Sequence, residues 1–130
     1  MAEAGAIIAQ CPTSNLFLGS GLFDMQQANR INIQTTLATD VGAGTSFSLF
    51  RTMGESYKVQ QLNGYPMSVF ESLYKCTRGT AKALKLDDKI GSFDQGRDAD
   101  FIVVDCTATP SQQMRKEYLE RKGRHSESDR

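Results

Sequence analysis

Residues 37–46 read Leu-Ala-Thr-Asp-Val-Gly-Ala-Gly-Thr-Ser and contain the most informative residue of the chain, Asp40. The apolar and β-branched residues before Asp40 are typical of a strand, which delivers a carboxylate to its C-terminal end. The glycines that follow let the backbone turn sharply and pass close to a ligand. Beyond the carboxyl ends of parallel strands lies the crevice where α/β proteins place their chemistry. A helix N-cap or an ordinary turn aspartate is the alternative interpretation.

The chain before this stretch predicts one more strand, followed by a turn and a loop. Residues 6–9 form a short, continuous apolar run that is typical of a strand buried on both faces. Pro12, Ser14 and Asn15 then predict a turn, and residues 16–21 a loop. Asn15 could brace the neighbouring loop or contact a ligand, and an Asx turn that satisfies its own backbone is the alternative.

Helices are predicted between and after the two strands. A short helix over residues 24–29 has Asp24 near its start, where the helix dipole favours an anion. Three more helices are predicted over residues 46–63, 67–77 and 79–84. In the helix 46–63 an apolar stripe recurs at helical spacing and should cover the strand; its members are Phe47, Phe50, Met53, Tyr57 and Leu62. This alternation of strands and helices predicts an α/β protein with parallel strands and crossover helices.

The pattern changes in the last third of the chain. Residues 90–93 and 99–105 predict a hairpin around a turn at 94–97, ending in a strongly apolar strand. Residues 112–122 predict a frayed helix, and residues 123–130 a disordered end.

The composition excludes several classes of function. Of the 130 residues, 39% are hydrophobic and 23% charged, and 15 basic side chains balance 15 acidic ones. No net field therefore attracts nucleic acid or an anionic membrane, and no apolar run approaches the ~20 residues of a membrane span. The three cysteines, Cys11, Cys76 and Cys106, are too widely spaced for a disulfide framework or a metal knuckle. We expect reduced thiols and a cytoplasmic protein.

The histidine count limits the chemistry further. His125 is the only histidine and lies in a polar, charged tail. A Ser-His-Asp or Cys-His arrangement is therefore excluded within these residues.

Two motifs together resemble the guanine deaminases of the metal-dependent amidohydrolase superfamily. Residues 9–23 read Ala-Gln-Cys-Pro-Thr-Ser-Asn-Leu-Phe-Leu-Gly-Ser-Gly-Leu-Phe, and residues 39–46 read Thr-Asp-Val-Gly-Ala-Gly-Thr-Ser. Residues 57–62, 86–91 and 99–105 match the same family, and the resemblance covers about residues 6–115.

The resemblance implies the C-terminal part of a distorted (β/α)8 barrel, about strands 7 and 8 with their helices, plus a few strands of a flanking β-sandwich. It implies hydrolysis of guanine to xanthine and ammonia at a single Zn²⁺, in a cytoplasmic homodimer. Asp40 is then both metal ligand and catalytic residue, and Asn15, Gly42 and Thr45 are candidates to line the pocket. The implied segments are a barrel part (1–85), sandwich strands (86–110) and a charged, partly disordered tail (111–130).

The sequence also departs from the family. The metal-binding histidines, the acid/base glutamate and the guanine-contacting side chains precede the matching region, so we expect an incomplete site and no activity from the chain alone. Gln10 stands where the family usually has histidine, which weakens any claim for a polar role there. Two alternatives stay open: a non-catalytic module that docks on a full-length amidohydrolase, and an amidohydrolase for another aminopurine, a pterin or a triazine.

Overall fold

The computed structural model describes residues 5–105, 109–115 and 117–118. The chain divides into two compact units, Met1–Asp100 and Phe101–Arg130. In the described part of the first unit the elements are, in order, β1 (Ile7–Gln10), α1 (Pro12–Leu18), α2 (Met25–Arg30), β2 (Gln34–Leu37), α3 (Leu49–Leu62), α4 (Val69–Cys76) and α5 (Arg78–Ala83). In the second unit, residues 110–115 and 117–118 are helical.

The two strands lie side by side and run parallel, as predicted. Ile7 pairs with Gln34 and Gln10 with Leu37, and the connection between the strands passes through α1 and α2. The small core beside the pair consists of Met25, Leu37 and Met67, with four partly buried side chains packed against it: Phe23, Met53, Tyr65 and Cys76. The α/β class predicted from the sequence is confirmed at this level.

Side-chain caps fix where the three longer connections enter their helices. The Asp24 carboxylate accepts a hydrogen bond from the Gln27 N–H at 2.8 Å, which confirms the predicted start of α2. Ser48 caps α3 and Ser68 caps α4 in the same way. The predicted helices 46–63, 67–77 and 79–84 are therefore present with slightly shorter bounds.

The turn and loop predicted for residues 10–21 are wrong, because residues 12–18 form α1. Proline is tolerated in the first turn of a helix, where its missing N–H would have no intrahelical partner. Gly19 then ends the helix in the left-handed conformation, with φ of 68°. The sequence did contain a signal for this helix, namely a proline at its start and a glycine just past its end.

The face of α3 that packs inward also differs from the one predicted, because Met53 is the only member of the apolar stripe that packs against the core. Phe50 and Tyr57 are each 50% exposed, so most of the apolar stripe lies on the surface. The buried residues of α3 are instead Thr52, Ser56, Val59 and Gln60. Gln60 explains how a polar face can be buried: its Oε1 accepts from the Met25 N–H at 3.2 Å, and its Nε2 donates to the Phe23 carbonyl at 2.9 Å.

The hairpin predicted for residues 90–93 and 99–105 is absent from the structure. The described residues between 86 and 105 form turns and irregular backbone. The turn at 94–97 is present, with the Arg97 N–H donating to the Asp94 carbonyl at 3.2 Å. A strand forms only when its backbone groups have a neighbouring strand to pair with, and the described residues provide none here. The division of the chain at residues 85 and 110 stays a prediction, and residues 119–130 lie outside the described part.

Candidate functional site

Two chemically reactive side chains follow the ends of the parallel strands. Cys11 comes directly after β1 and Asp40 three residues after β2. The Ala38 N–H donates to the Gln10 carbonyl at 2.9 Å, which continues the pairing past the end of β2. Because both strands run in the same direction, Cys11 and Asp40 lie at the same edge of the sheet.

The pKa of the Cys11 thiol shows that these two side chains affect each other. Burial raises this pKa above its ordinary value, and the negative charge of Asp40 raises it further. The thiol donates to the Ala9 carbonyl at 3.4 Å. Burial and the neighbouring carboxylate therefore both disfavour the thiolate form of Cys11.

The backbone at Asp40 is held in a tight turn. Asp40 has a φ of 48°, and its carbonyl accepts hydrogen bonds from the Ala43 N–H at 3.2 Å and the Gly44 N–H at 2.5 Å. A Cβ atom on Gly44 would overlap the carbonyl oxygen of Thr39. The glycine requirement predicted from the sequence therefore arises, at Gly44, from close approach of the backbone to itself.

The structure excludes an N-cap role for Asp40 on α3 and places its backbone in a turn. The N-cap of α3 is Ser48, so Asp40 does not cap this helix. Asp40 is a turn residue, but the turn uses its carbonyl group. The carboxylate is exposed and has no hydrogen-bond or salt-bridge partner among the described residues. Its two oxygens are available to a ligand.

A metal ion would find only part of a site here. Asp40 offers one anionic oxygen ligand. Within the described residues no group of three or more His, Cys, Asp or Glu side chains could hold a metal ion. His125 lies outside the described residues. Asp40 can therefore supply one protein ligand of a metal centre.

The pocket-lining candidates are placed differently from one another. Thr45 borders an open cleft of about 270 Å³. The complete lining of this cleft is Thr13, Leu16, Phe17, Thr45, Arg51 and Glu55. Gly42 is exposed in the turn with φ of 125°, and Asn15 is half-buried in α1, where its N–H donates to the Cys11 carbonyl at 2.9 Å. Only Thr45 of the three lines the cleft.

Sequence analysis missed two charged residues of this cleft. Arg51 and Glu55 lie four residues apart on α3 and so project from the same face of the helix. The i,i+4 spacing of opposite charges was the available signal, but the apolar stripe of the same helix dominated the interpretation.

The side chain of Gln10, the last residue of β1, has a structural role. Its side chain is buried, with the residue 2% exposed, and its Oε1 accepts from the Ser56 hydroxyl at 3.0 Å. Its Nε2 has no partner among the described residues. Gln10 thus links β1 to the polar face of α3.

The comparison with known proteins identifies the family. The chain matches the Amidohydrolase family over residues 1–123. It belongs to the amidohydrolase family. Among its relatives, the guanine deaminase of Escherichia coli is 50% identical over 115 residues, which are 88% of this chain and 26% of that protein. The guanine deaminase of Rattus norvegicus is 33% identical over 115 residues, covering 84% and 25%. The chain therefore spans about a quarter of the length of these relatives.

Solved amidohydrolase structures show the same arrangement of elements. E. coli guanine deaminase superposes with a TM-score of 0.85 over 90% of this chain and 27% of that one, at 50% identity. An adenosine deaminase from Xanthomonas campestris with bound zinc gives 0.73 over 82% and 25%, at 29% identity. A guanine deaminase from C. acetobutylicum with guanine in its active site gives 0.62 over 74% and 24%, at 31% identity. In this amidohydrolase chain, no helix of the described residues combines the length and apolarity needed to cross a membrane.

The electrostatic link between Asp40 and Cys11 can be tested by thiol alkylation in a Cys106→Ser background. Asp40→Asn removes a negative charge that disfavours the thiolate, so the pKa of Cys11 should fall. At pH 8 the thiolate fraction then rises, and alkylation by iodoacetamide is faster. Burial raises the pKa of Cys76 to about 11, so this thiol serves as a slow internal reference. An unchanged pH midpoint for Cys11 would show that the two groups do not interact.

Proposed function

We propose that the protein acts in guanine deamination, hydrolysing guanine to xanthine and ammonia. The supporting observation is an exposed, unpartnered carboxylate, Asp40, at the C-terminal edge of a parallel strand pair in a chain 50% identical to E. coli guanine deaminase. The two strands correspond to strands 7 and 8 of a distorted (β/α)8 barrel. The working protein is a cytoplasmic homodimer.

Asp40 is the residue of this chain that carries the chemistry. It would hold a Zn²⁺ ion together with protein ligands that the described residues do not supply. A zinc ion in such a centre supplies Lewis acidity, lowering the pKa of water and polarising the substrate. The carboxylate of Asp40 accepts a proton from the attacking water and delivers it to the purine. Water would add to the ring carbon, with one of its protons going to the adjacent ring nitrogen. The remaining hydroxyl proton would go to the exocyclic amine as the carbon–nitrogen bond breaks, so that ammonia leaves and a carbonyl group forms.

The other named residues shape the surroundings of Asp40. Gly42 exposes backbone beside the carboxylate because it carries no side chain, and Thr45 places a hydroxyl where the turn meets the cleft. Asn15 braces the loop after α1, because its carbonyl accepts a hydrogen bond from the Ser20 N–H at 2.9 Å. A zinc requirement is supported by the bound zinc of the X. campestris adenosine deaminase, and a purine substrate by the bound guanine of the C. acetobutylicum enzyme.

The experiment is a chimera in which residues 6–115 replace the matching segment of E. coli guanine deaminase. The zinc-loaded chimera should convert guanine to xanthine, measured by chromatography. The 130-residue chain alone, with added zinc, should show no turnover above a metal-only control, because one carboxylate binds Zn²⁺ weakly. A folded chimera that binds zinc but does not deaminate guanine would refute the proposed function.

A further inference from the structure

The hydroxyl of Thr13 contacts the backbone next to the candidate metal ligand. Thr13 lies in the first turn of α1 and is 4% exposed. Its Oγ1 donates a hydrogen bond to the carbonyl of Thr39 at 3.3 Å, across 26 residues of sequence. Because Thr39 directly precedes Asp40, this bond holds the peptide group from which Asp40 projects.

The Asp40 backbone needs such support. A φ of 48° is an uncommon conformation for a residue with a side chain, although aspartate tolerates it better than most. The Ala43 and Gly44 N–H groups hold the Asp40 carbonyl from one side of the peptide chain. The Thr39 carbonyl oxygen occupies the space that a Cβ atom on Gly44 would need. The same oxygen accepts the hydrogen bond from the Thr13 hydroxyl. The carboxylate therefore projects from a backbone that is fixed at both of its peptide groups.

Thr13 borders the cleft, but its hydroxyl is better placed for this task than for contact with a ligand. Its hydroxyl proton is committed to the Thr39 carbonyl, and almost none of its surface is exposed. The contact also links the two motifs of the chain, because Thr13 belongs to the segment Cys-Pro-Thr-Ser-Asn and Thr39 begins the segment Thr-Asp-Val-Gly-Ala-Gly.

We infer that Thr13 is a positioning residue, whose hydroxyl fixes the Thr39–Asp40 peptide and thereby aims the Asp40 carboxylate. This inference rests on the proposed function for its catalytic consequence, but the structural restraint stands on the hydrogen bond itself. A valine at this position keeps the branched shape and removes the donor, leaving the Thr39 carbonyl without its partner. A serine keeps the donor and loses one methyl group.

Amide hydrogen exchange of the 130-residue chain tests the restraint directly. Thr13→Val should speed exchange at Ala43 and Gly44 about fivefold, the factor that corresponds to one net hydrogen bond, whereas Thr13→Ser should restore the wild-type rates. The matched control is Thr80→Val, which removes a hydroxyl-to-carbonyl bond to Lys75 elsewhere and should leave both amides unchanged. Equal exchange in wild type and Thr13→Val would overturn the inference. If the valine variant of this chain does not fold, the same measurement on the chimera decides.

The chimera separates positioning from a general loss of structure. Thr13→Val should lower kcat by about 10- to 100-fold, as substitutions behind a metal ligand do, with KM for guanine unchanged and Thr13→Ser active. A parallel rise in KM, or a serine variant as impaired as the valine variant, would contradict positioning. If the unsubstituted chimera fails to deaminate guanine, the proposed function fails, while the exchange rates still decide whether Thr13 restrains the turn.

Discussion

Replacement of Asp40 by asparagine is expected to lower kcat/KM for guanine by more than about a hundredfold in the chimera, and to reduce its zinc content. Loss of groups that merely support a metal ligand already costs about 10- to 100-fold in affinity or activity, so loss of the ligand's charge should cost more. Asparagine keeps the size of the side chain, and it tolerates the positive φ of this position. The fold should therefore survive while the anionic oxygen is lost.

Asp24→Asn is the matched control for this substitution. Asp24 is also exposed, but its carboxylate caps α2, and asparagine is an equally good N-cap. We expect full activity and unchanged zinc content from this variant. Zinc content is measured by elemental analysis after removal of free metal. If Asp40→Asn keeps wild-type kcat/KM and zinc, then Asp40 is neither a ligand nor a proton carrier.

The sequence was most informative where one local force dominates. The apolar run at residues 6–9 and the β-branched residues before Asp40 predict the two strands, because no helical pattern competes with them. Asp24 predicts the start of α2 because its cap needs only the next three residues. The parallel pairing follows from the helices between the strands, since a parallel connection requires a crossover.

The sequence-based prediction failed where contacts between different elements determine which residues are buried. The inward face of α3 is polar because Gln60 and Ser56 find partners in other elements, on Phe23, Met25 and Gln10, which no pattern within the helix reveals. The apolar stripe of the same helix lies half-exposed with Phe50 and Tyr57 on the surface. The failed hairpin has a related cause, because the apolar run 101–104 becomes a strand only beside another strand.

The sequence predicts individual residues of the candidate site, and the structure shows which of them lie next to one another. Asp40 could be named from its place after a strand. The role of Thr13 could not, because its partner lies 26 residues away along the chain. Arg51 and Glu55 border the cleft with Thr45 only because α1 and α3 pack together.

Gly44→Ala should give the second large effect, a loss of about 3 kcal/mol in the free energy of unfolding of the first unit. The added Cβ would overlap the Thr39 carbonyl oxygen and approach the Asp40 carbonyl oxygen at 2.9 Å. Both obstacles are backbone atoms, so no side chain can swing away to relieve them. The turn must open, which also breaks the hydrogen bonds from Ala43 and Gly44 to Asp40. Urea unfolding, followed by circular dichroism, measures the change.

Gly54→Ala is the matched control, because a Cβ at Gly54 meets no atom within 4 Å. Gly54 lies inside α3, where alanine is favoured over glycine by about 0.5–1 kcal/mol, so this variant should be more stable than wild type. Opposite signs for the two glycines would show that the turn after β2 is built around the missing side chain of Gly44. A Gly44→Ala variant as stable as wild type would mean that the Thr39–Asp40 backbone has room to move, and a carboxylate on such a backbone is not held in one direction.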